Sequence, residues 1–226
     1  MQEESPFNSV PPAALVLAIG IAVIELVLMA AANGIVGGPQ GIGWRIAALE
    51  NFSFFPAILT EIFERGRGTV DLWKRFVTYA FVQPTTTHAV FAVVMLLALG
   101  KFVGEVLHPI AFLILFFAAS IGSAAVYGVI SPANVRLIGA YPAVYGLIGA
   151  YTYLMWLKLG QLGANQLKAF QLIGVLMAML VIYSVMFENR LTWIAEVAGF
   201  FIGLFCAPLL APGGWQAFLN RIRTRS

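Results

Sequence analysis

Side chains that could do chemistry are few in this sequence, and several of them stand inside long apolar stretches. Two acids, Glu25 and Glu196, each interrupt an apolar run, and the chain has two histidines, His88 and His108, and one cysteine, Cys206. A carboxylate or an imidazole at such a place can act as a general acid or base. Two scattered histidines and one cysteine cannot build a closed metal site, so the sequence predicts neither a metal nor a cofactor.

The composition explains why these polar residues stand out. The 226-residue chain is 61% hydrophobic and only 10% charged, whereas a soluble domain carries about a quarter charged residues. The composition therefore excludes a water-soluble globular domain and indicates an integral membrane protein. The net charge of +3 rests on few residues and does not indicate nucleic-acid binding.

Six predicted membrane spans would position the chemical groups, since a helix needs about 20 apolar residues to cross a bilayer. In chain order the spans are Ala13–Ala32, Pro84–Gly104, Ile110–Ile130, Ile138–Leu157, Ala169–Phe187 and Leu191–Leu210. We therefore expect an all-α membrane bundle over residues 13–210, preceded by a short segment, 1–12. Residues 211–226 read as a basic amphipathic tail that is attracted to anionic lipid.

The long first loop, 34–83, has the pattern of interfacial helices. Around Pro56, apolar residues recur at helical spacing with acids and arginine on the other side; the apolar set is Phe55, Ile58, Leu59, Ile62 and Phe63. This pattern predicts a short helix in the membrane interface. Thr69 is the expected N-cap of a second short helix. The sequence leaves two roles possible for this loop: it covers the bundle, or it gates the entry of a substrate.

Basic residues in the short loops set the predicted orientation. With six spans both termini share one side, which holds Lys101, Lys158, Lys168 and the arginines of the tail, while the opposite short loops hold Arg136 and Arg190. The positive-inside rule then places both termini in the cytoplasm, and we expect a bacterial plasma membrane. The first loop contains five basic residues that favour the reverse orientation.

Three stretches carry a pattern of polar and small residues that names a family. The first runs from Arg75 through Thr78 to His88 and leads into the second span. The second is GAYPAVYGLIGA at 139–150 in the fourth span, and the third is AEVAGFFIG at 195–203 in the sixth. Together they resemble the motifs of the rhomboid superfamily of intramembrane serine proteases, in the same order. The resemblance covers almost the whole chain and implies a six-span rhomboid-like bundle.

Four glycines of the second and third stretches, Gly146, Gly149, Gly199 and Gly203, predict close helix packing. Small residues at three- or four-residue spacing remove side-chain bulk from one face, so that two backbones can approach. The resemblance implies that the fourth and sixth spans meet in this way and bring the catalytic positions together.

The resemblance fails at the residues that the family uses for catalysis. It implies a serine nucleophile where the chain has Tyr141, followed by a glycine where the chain has Pro142, and a histidine base where it has Glu196. It also implies an asparagine that helps to hold the oxyanion, and here that position is Ala92. On the oxyanion side, His88 is the residue that remains.

No other residues supply a serine and histidine pair. Three serines, Ser120, Ser123 and Ser131, belong to the third span or its end, away from the motifs, and neither histidine lies in the sixth span. A Tyr141–Glu196 dyad is a poor substitute, because a phenol reaches farther than a serine hydroxyl and a glutamate titrates near pH 4.3. We predict that these two side chains form a hydrogen bond joining the fourth and sixth spans.

The sequence thus predicts a rhomboid-like membrane pseudoprotease. Resemblance to inactive members of the superfamily implies that it binds transmembrane helices of client or partner proteins, as an adaptor or complex subunit, without cleaving them. The alternative is an active intramembrane peptidase with non-standard catalytic residues, and a small transporter or channel ranks last. Glu25 has no counterpart in the family pattern. It could bond a neighbouring helix, contact a partner protein or handle protons.

Overall fold

The computed structural model describes residues 10–176 and 191–213, and the regular elements of these two stretches are helices. In chain order they are α1 (Pro12–Ala32), α2 (Gly38–Gly41), α3 (Trp44–Phe52), α4 (Ala57–Leu59), α5 (Val70–Thr78), α6 (Thr86–Gly104), α7 (Pro109–Ile130), α8 (Tyr141–Gln161), α9 (Gln166–Leu176) and α10 (Trp193–Leu210). A π-helical turn over Thr60–Glu64 continues α4, and α9 opens as a 3-10 helix over Gln166–Phe170. An isolated backbone bridge joins Phe54 to Leu137.

Four of these helices, α1, α6, α7 and α10, are long and apolar enough to cross a membrane. They coincide within a few residues with four of the predicted spans, which confirms an all-helical chain of membrane-spanning character. The fourth predicted span corresponds to α8, whose 21 residues are less apolar because tyrosines, glycines and Lys158 interrupt it. The fifth, Ala169–Phe187, and the tail, 211–226, lie largely outside the described residues.

Helix α8 is the centre of the bundle. Every residue from Pro142 to Ala150 is buried, and α8 packs against α10, α7 and α6. A helix that is buried on all sides has no polar face to keep in water. The position of α8 is therefore set by its neighbours, and its first turn, where Tyr141 lies, is held inside the protein.

The contact between α8 and α10 runs through glycines. A Cβ on Gly149 would overlap the carbonyl oxygen of Phe200, and a Cβ on Gly203 would overlap that of Gly146. A Cβ on Gly199 would likewise overlap the backbone of α8. The two backbones thus approach as small residues in membrane helices allow. The approach brings the beginning of α8 beside the beginning of α10.

The first loop contains more helix than the sequence pattern indicates. Helices α2 and α3 were not predicted, and α3 has no buried residue, so it carries no apolar face that a periodicity could reveal. Thr69 precedes α5 as expected, but its side chain makes no capping hydrogen bond. Its backbone carbonyl instead accepts from the amides of Leu72 and Trp73, each at 3.1 Å.

The segment before α8 is tied to the first loop by backbone hydrogen bonds. The amide of Phe54 donates to Leu137 at 3.0 Å, and the amide of Leu137 donates back at 2.9 Å. The Gly139 amide donates to the carbonyl of Tyr79 at 2.8 Å. Gly139 has a φ of +105°, which favours glycine because it has no side chain. These bonds fix where the chain enters α8 at Tyr141.

Candidate functional site

A cavity of about 310 Å³ lies where α8 and α10 begin. Its lining comes from four parts of the chain: the start of α6, the segment before α8, and the starts of α8 and α10. The lining residues are Pro84, His88, Val135, Arg136, Leu137, Ile138, Tyr141, Pro142, Thr192 and Glu196. The fold therefore brings His88, Tyr141 and Glu196 to one cavity although more than 100 residues of sequence separate the first from the last.

Tyr141 packs against an aromatic neighbour, and its hydroxyl makes no hydrogen bond within the described part of the chain. Its ring centroid lies 4.1 Å from that of the His88 imidazole, with 39° between the ring planes. Both side chains are only partly buried, and both line the cavity. Tyr141 thus occupies the start of α8 as a packed ring and not as an activated hydroxyl.

Glu196 is a buried acid without a partner among the described residues. It exposes 6% of its surface, and neither a hydrogen bond nor an ion pair is formed by its carboxyl group. The predicted hydrogen bond between Tyr141 and Glu196 is therefore not formed, because the phenol ring packs against His88 instead. The two side chains share a cavity and are not bonded across it.

Gln83, which the sequence did not single out, organises the side of the cavity at α6. It is 1% exposed, and its Oε1 atom accepts from the Ala140 amide at 3.3 Å and lies 2.8 Å from His88 Nδ1. Its Nε2 group donates to the carbonyl of Ala80 at 3.0 Å. One side chain thus joins the segment before α8 to the start of α6. A glutamine before Pro84, where an apolar span begins, was the available signal.

Glu25 is also buried, but both of its carboxylate oxygens accept hydrogen bonds. Arg45 of α3 binds both carboxylate oxygens, with Nη2 at 2.6 Å from Oε1 and Nη1 at 3.1 Å from Oε2. The Thr86 hydroxyl at the start of α6 donates to Oε1 at 2.6 Å. Arg45 Nη1 also donates to the carbonyl of Gln83 at 3.2 Å. Glu25 therefore faces the bundle and connects α1, the first loop and the residue that bonds His88.

The arginine and threonine of the first motif hold the loop against the bundle. Arg75 Nη1 donates to the carbonyls of Glu50 at 2.8 Å and Ser53 at 3.2 Å, and the Thr78 hydroxyl donates to Phe52 at 3.3 Å. These carbonyls belong to the end of α3, where a helix leaves acceptors without internal partners. The motif residues therefore position the loop and do not reach the cavity lining.

Two ionisable side chains of the loop region differ in their surroundings. Burial raises the pKa of the Tyr79 phenol, whose hydroxyl donates to the carbonyl of Ser120 at 2.8 Å. The exposed Asp71 carboxyl accepts a hydrogen bond from Lys74, 2.5 Å away, and this bond lowers the pKa of Asp71. Neither group lines the cavity.

The residues that could have replaced the dyad lie elsewhere. The serines Ser120, Ser123 and Ser131 do not line the cavity. Ser123 is nevertheless closer to the motifs than the sequence suggested, because its Oγ lies 3.0 Å from where a Cβ on Gly199 would stand. Ala92 is completely buried in α6 and offers no donor. Within 10–176 and 191–213, no group of three metal-ligating side chains occurs.

Membrane-spanning helices around a cavity at the start of a glycine-packed helix pair define a membrane-embedded bundle with an internal site. The family model described as Rhomboid domain matches residues 71–213, which include all of α5 except its first residue, α6 to α10 and all three motifs. The match covers more than half of the chain, and the chain therefore belongs to the rhomboid family. No curated protein matches the sequence.

Proposed function

We propose that the chain is a rhomboid-like pseudoprotease that binds transmembrane helices of client or partner proteins, as an adaptor or complex subunit, without cleaving them. The observation that carries the proposal is that Tyr141 and Glu196 line one cavity at the dyad positions with no hydrogen bond between them. A nucleophile needs a base within hydrogen-bond reach. The phenol packs its ring on His88 and has no hydrogen bond to Glu196, the residue at the base position.

At two positions the chain lacks a donor that could stabilise a developing oxyanion. Ala92 presents a buried methyl group in place of an amide, and loss of one oxyanion donor typically lowers the rate by about 10²–10³-fold. Pro142, directly after Tyr141, has no backbone amide hydrogen to donate. Both features argue for binding without hydrolysis.

A role in helix binding is supported by the polar groups that remain. Inside a bilayer, lipid offers no hydrogen-bonding partner to a polar group. The cavity keeps a carboxyl group, an imidazole and a hydroxyl on its lining, from Glu196, His88 and Thr192. A partner helix that exposes a polar side chain would be stabilised there, because the same side chain has no partner in lipid.

The direct test of the proposal is a cleavage assay in proteoliposomes. The full-length protein is incubated with labelled transmembrane substrates beside Tyr141→Phe and Glu196→Gln, and an active rhomboid protease serves as the positive control. We expect no cleavage by any of the three proteins. Cleavage by the wild type that both variants abolish would overturn the proposal and establish the alternative, an active peptidase with non-standard catalytic residues.

The binding part of the proposal is tested by crosslinking in intact membranes, followed by purification in mild detergent and mass spectrometry. We expect membrane proteins with transmembrane helices to be enriched, and their crosslinks to map near α8 and α10. As a matched control, Gly203→Leu should lose the crosslinks, because its side chain would overlap the Gly146 carbonyl. If no membrane protein is enriched even after crosslinking, the adaptor function is contradicted.

We further propose that both termini face the cytoplasm of a bacterial plasma membrane. The support is the excess of basic residues in the short loops on that side, for example Lys101 and Lys158 at the ends of α6 and α8. Reporter fusions at the two termini test it. A fluorescent protein that folds only in the cytoplasm should fluoresce at both ends. A periplasm-dependent phosphatase that is active at either end would contradict the orientation.

A further inference from the structure

We infer that the cavity at the start of α8 and α10 binds an ammonium group, with Glu196 as its counter-ion, and that this group is the lysine side chain of a bound transmembrane helix. The inference rests on the proposed helix-binding function and specifies the chemistry of the partner. It assigns the acid at the former base position a role that is independent of hydrolysis.

The first argument is the state of Glu196. The residue exposes 6% of its surface and lines a cavity, and its carboxyl group has no hydrogen bond or ion pair among the described residues. Buried acids are stable when they are paired or bound to cations. Since no cation among the described residues pairs with Glu196, we take the partner that compensates this acid to come from outside the chain.

The second argument is the chemistry of the side chains that line the cavity together with the Glu196 carboxyl group. The stacked rings of Tyr141 and His88 lie 4.1 Å apart between centroids, and both line the same cavity. The face of a tyrosine ring is electron-rich and attracts ammonium groups. Thr192 adds a hydroxyl oxygen to the lining. An ammonium group has three donors and no acceptor, so a carboxylate, a ring face and a hydroxyl oxygen match it.

The third argument concerns the one arginine on the lining. An anionic ligand would use Arg136, but this residue is exposed, and its guanidinium carbon lies 5.5 Å from the centre of the Phe55 ring. Phe55 is not part of the cavity lining. The guanidinium group is therefore held toward the first loop, whereas the carboxyl group of Glu196 is buried in the cavity. This distribution favours a cation over an anion.

The size of the cavity and its place in the membrane argue for a side chain as the source of the ammonium group. Its volume of about 310 Å³ is at the lower end of the range for small-molecule pockets, roughly 300–1,000 Å³. A lysine within a transmembrane helix is costly in lipid and is stabilised by pairing with an acid. The long aliphatic chain of lysine also lets its ammonium group reach an acid that does not lie directly beside the bound helix.

The test uses the full-length protein in proteoliposomes and two synthetic transmembrane peptides. Both peptides are leucine-rich helices with a fluorescent label, and they differ at one position one turn inside the span, which is lysine in one and methionine in the other. We expect the wild-type protein to bind the lysine peptide at least tenfold more tightly. Glu196→Gln should bring the two affinities together, because glutamine keeps the shape of the side chain without its charge.

Two further variants test whether a lost preference for lysine reflects the missing carboxylate or a change in the structure of the protein. Arg67→Gln removes an exposed charge of the first loop that does not line the cavity and should leave the preference for lysine at least tenfold. Glu196→Asp keeps the carboxylate and should restore a preference of several-fold. If Glu196→Gln unfolds, as judged by its thermal transition in detergent, Glu196→Asp and a competition with butylammonium replace it as the deciding measurements. Butylammonium should displace the lysine peptide and leave the methionine peptide bound.

The outcomes distinguish this inference from the proposed function. Equal, measurable affinities of the two peptides would overturn the ammonium site and leave helix binding standing. No binding of either peptide would contradict both. If butylammonium protects the wild type against thermal unfolding but the lysine peptide gains no affinity, the site takes a free amine, and the assignment to a client lysine is wrong.

Discussion

Two acids interrupt the apolar helices of this protein, and they have the same burial but opposite surroundings. Glu25 in α1 and Glu196 in α10 each expose 6% of their surface. Glu25 is bound through both carboxylate oxygens by Arg45 and receives the hydroxyl of Thr86. Glu196 has no hydrogen bond or ion pair within the described part of the chain. Burial alone therefore does not tell what a membrane-embedded acid does.

We interpret this difference in bonding as a difference in role: Glu25 is a structural acid, and Glu196 is the acid of the proposed binding site. Glu25 joins three elements, and its removal would loosen the first loop from the start of α6. Glu196 contributes no such connection and lines a cavity instead. Buried polar groups are nearly always bonded, and this exception in a cavity is what motivates the proposed binding site. The following predictions test this contrast.

Arg45→Met should have the largest effect, because it leaves the Glu25 carboxylate buried and unpaired. Breaking a buried ion pair from one side costs about 3–5 kcal/mol of unfolding free energy. The measurement is unfolding by denaturing detergent in mixed micelles. Arg67→Met, at an exposed arginine 3.8 Å from Glu61, should change the stability by less than about 0.5 kcal/mol. Equal losses in the two variants would contradict a structural role for Glu25.

The matched pair Glu25→Gln and Glu196→Gln should show the contrast directly. Glu25→Gln removes charge-assisted hydrogen bonds, each worth about 1.5–3 kcal/mol, and should lower the stability by that order. Glu196→Gln removes a buried carboxyl group that has no partner among the described residues and should leave the stability unchanged or raise it. Both are measured by the same unfolding assay. A larger loss in Glu196→Gln than in Glu25→Gln would show that Glu196 is structural after all.

Tyr141→Phe should have a small effect, within about 0.5 kcal/mol, because the hydroxyl makes no hydrogen bond and the ring contact with His88 is kept. The same unfolding assay measures it. Tyr141→Ala is the matched control and should destabilise the protein clearly more, since it removes the ring. If Tyr141→Phe costs as much as Tyr141→Ala, the hydroxyl has a bond across the cavity that the structure does not form.

The smallest effect is expected at Asp71, an acid that is paired but exposed. Its pKa is lowered in the folded protein, chiefly by the hydrogen bond with Lys74. The unfolded chain therefore holds the proton more tightly, so the stabilisation is present above about pH 4 and is lost as the pH falls through the lowered pKa. Asp71→Asn should make unfolding slightly less sensitive to pH in that window. An unchanged pH profile would contradict a folded-state interaction of Asp71.

Much of the bundle was predictable because the chemistry of a span is local. Runs such as Pro109–Ile130 need only their own composition to become membrane helices. The helix crossing was also predictable in kind, since Gly199 and Gly203 are spaced for close packing. In contrast, α3 buries no residue, and its formation depends on bonds from Arg45 and Arg75 that join residues distant in sequence.

The sequence motifs predicted which residues meet at the site, but they did not predict the contacts and hydrogen bonds that those residues make. The motifs gave the places of Tyr141 and Glu196, which share a cavity. The predicted hydrogen bond between them was wrong, because the choice between His88 and Glu196 as the neighbour of Tyr141 depends on geometry of a few ångström. Gln83 and Arg45 were missed for the same reason: each bonds residues that are more than 15 positions away in the chain.

The glycine contact of α8 and α10 has a consequence for how such a protein can change over time. The contact is made by backbone atoms at Gly146, Gly149 and Gly203. None of these atoms belongs to the side chains that line the cavity. Mutations at Tyr141 or Glu196 therefore leave this contact between α8 and α10 intact. A lineage can exchange one chemistry for another at this place while selection continues to preserve the scaffold.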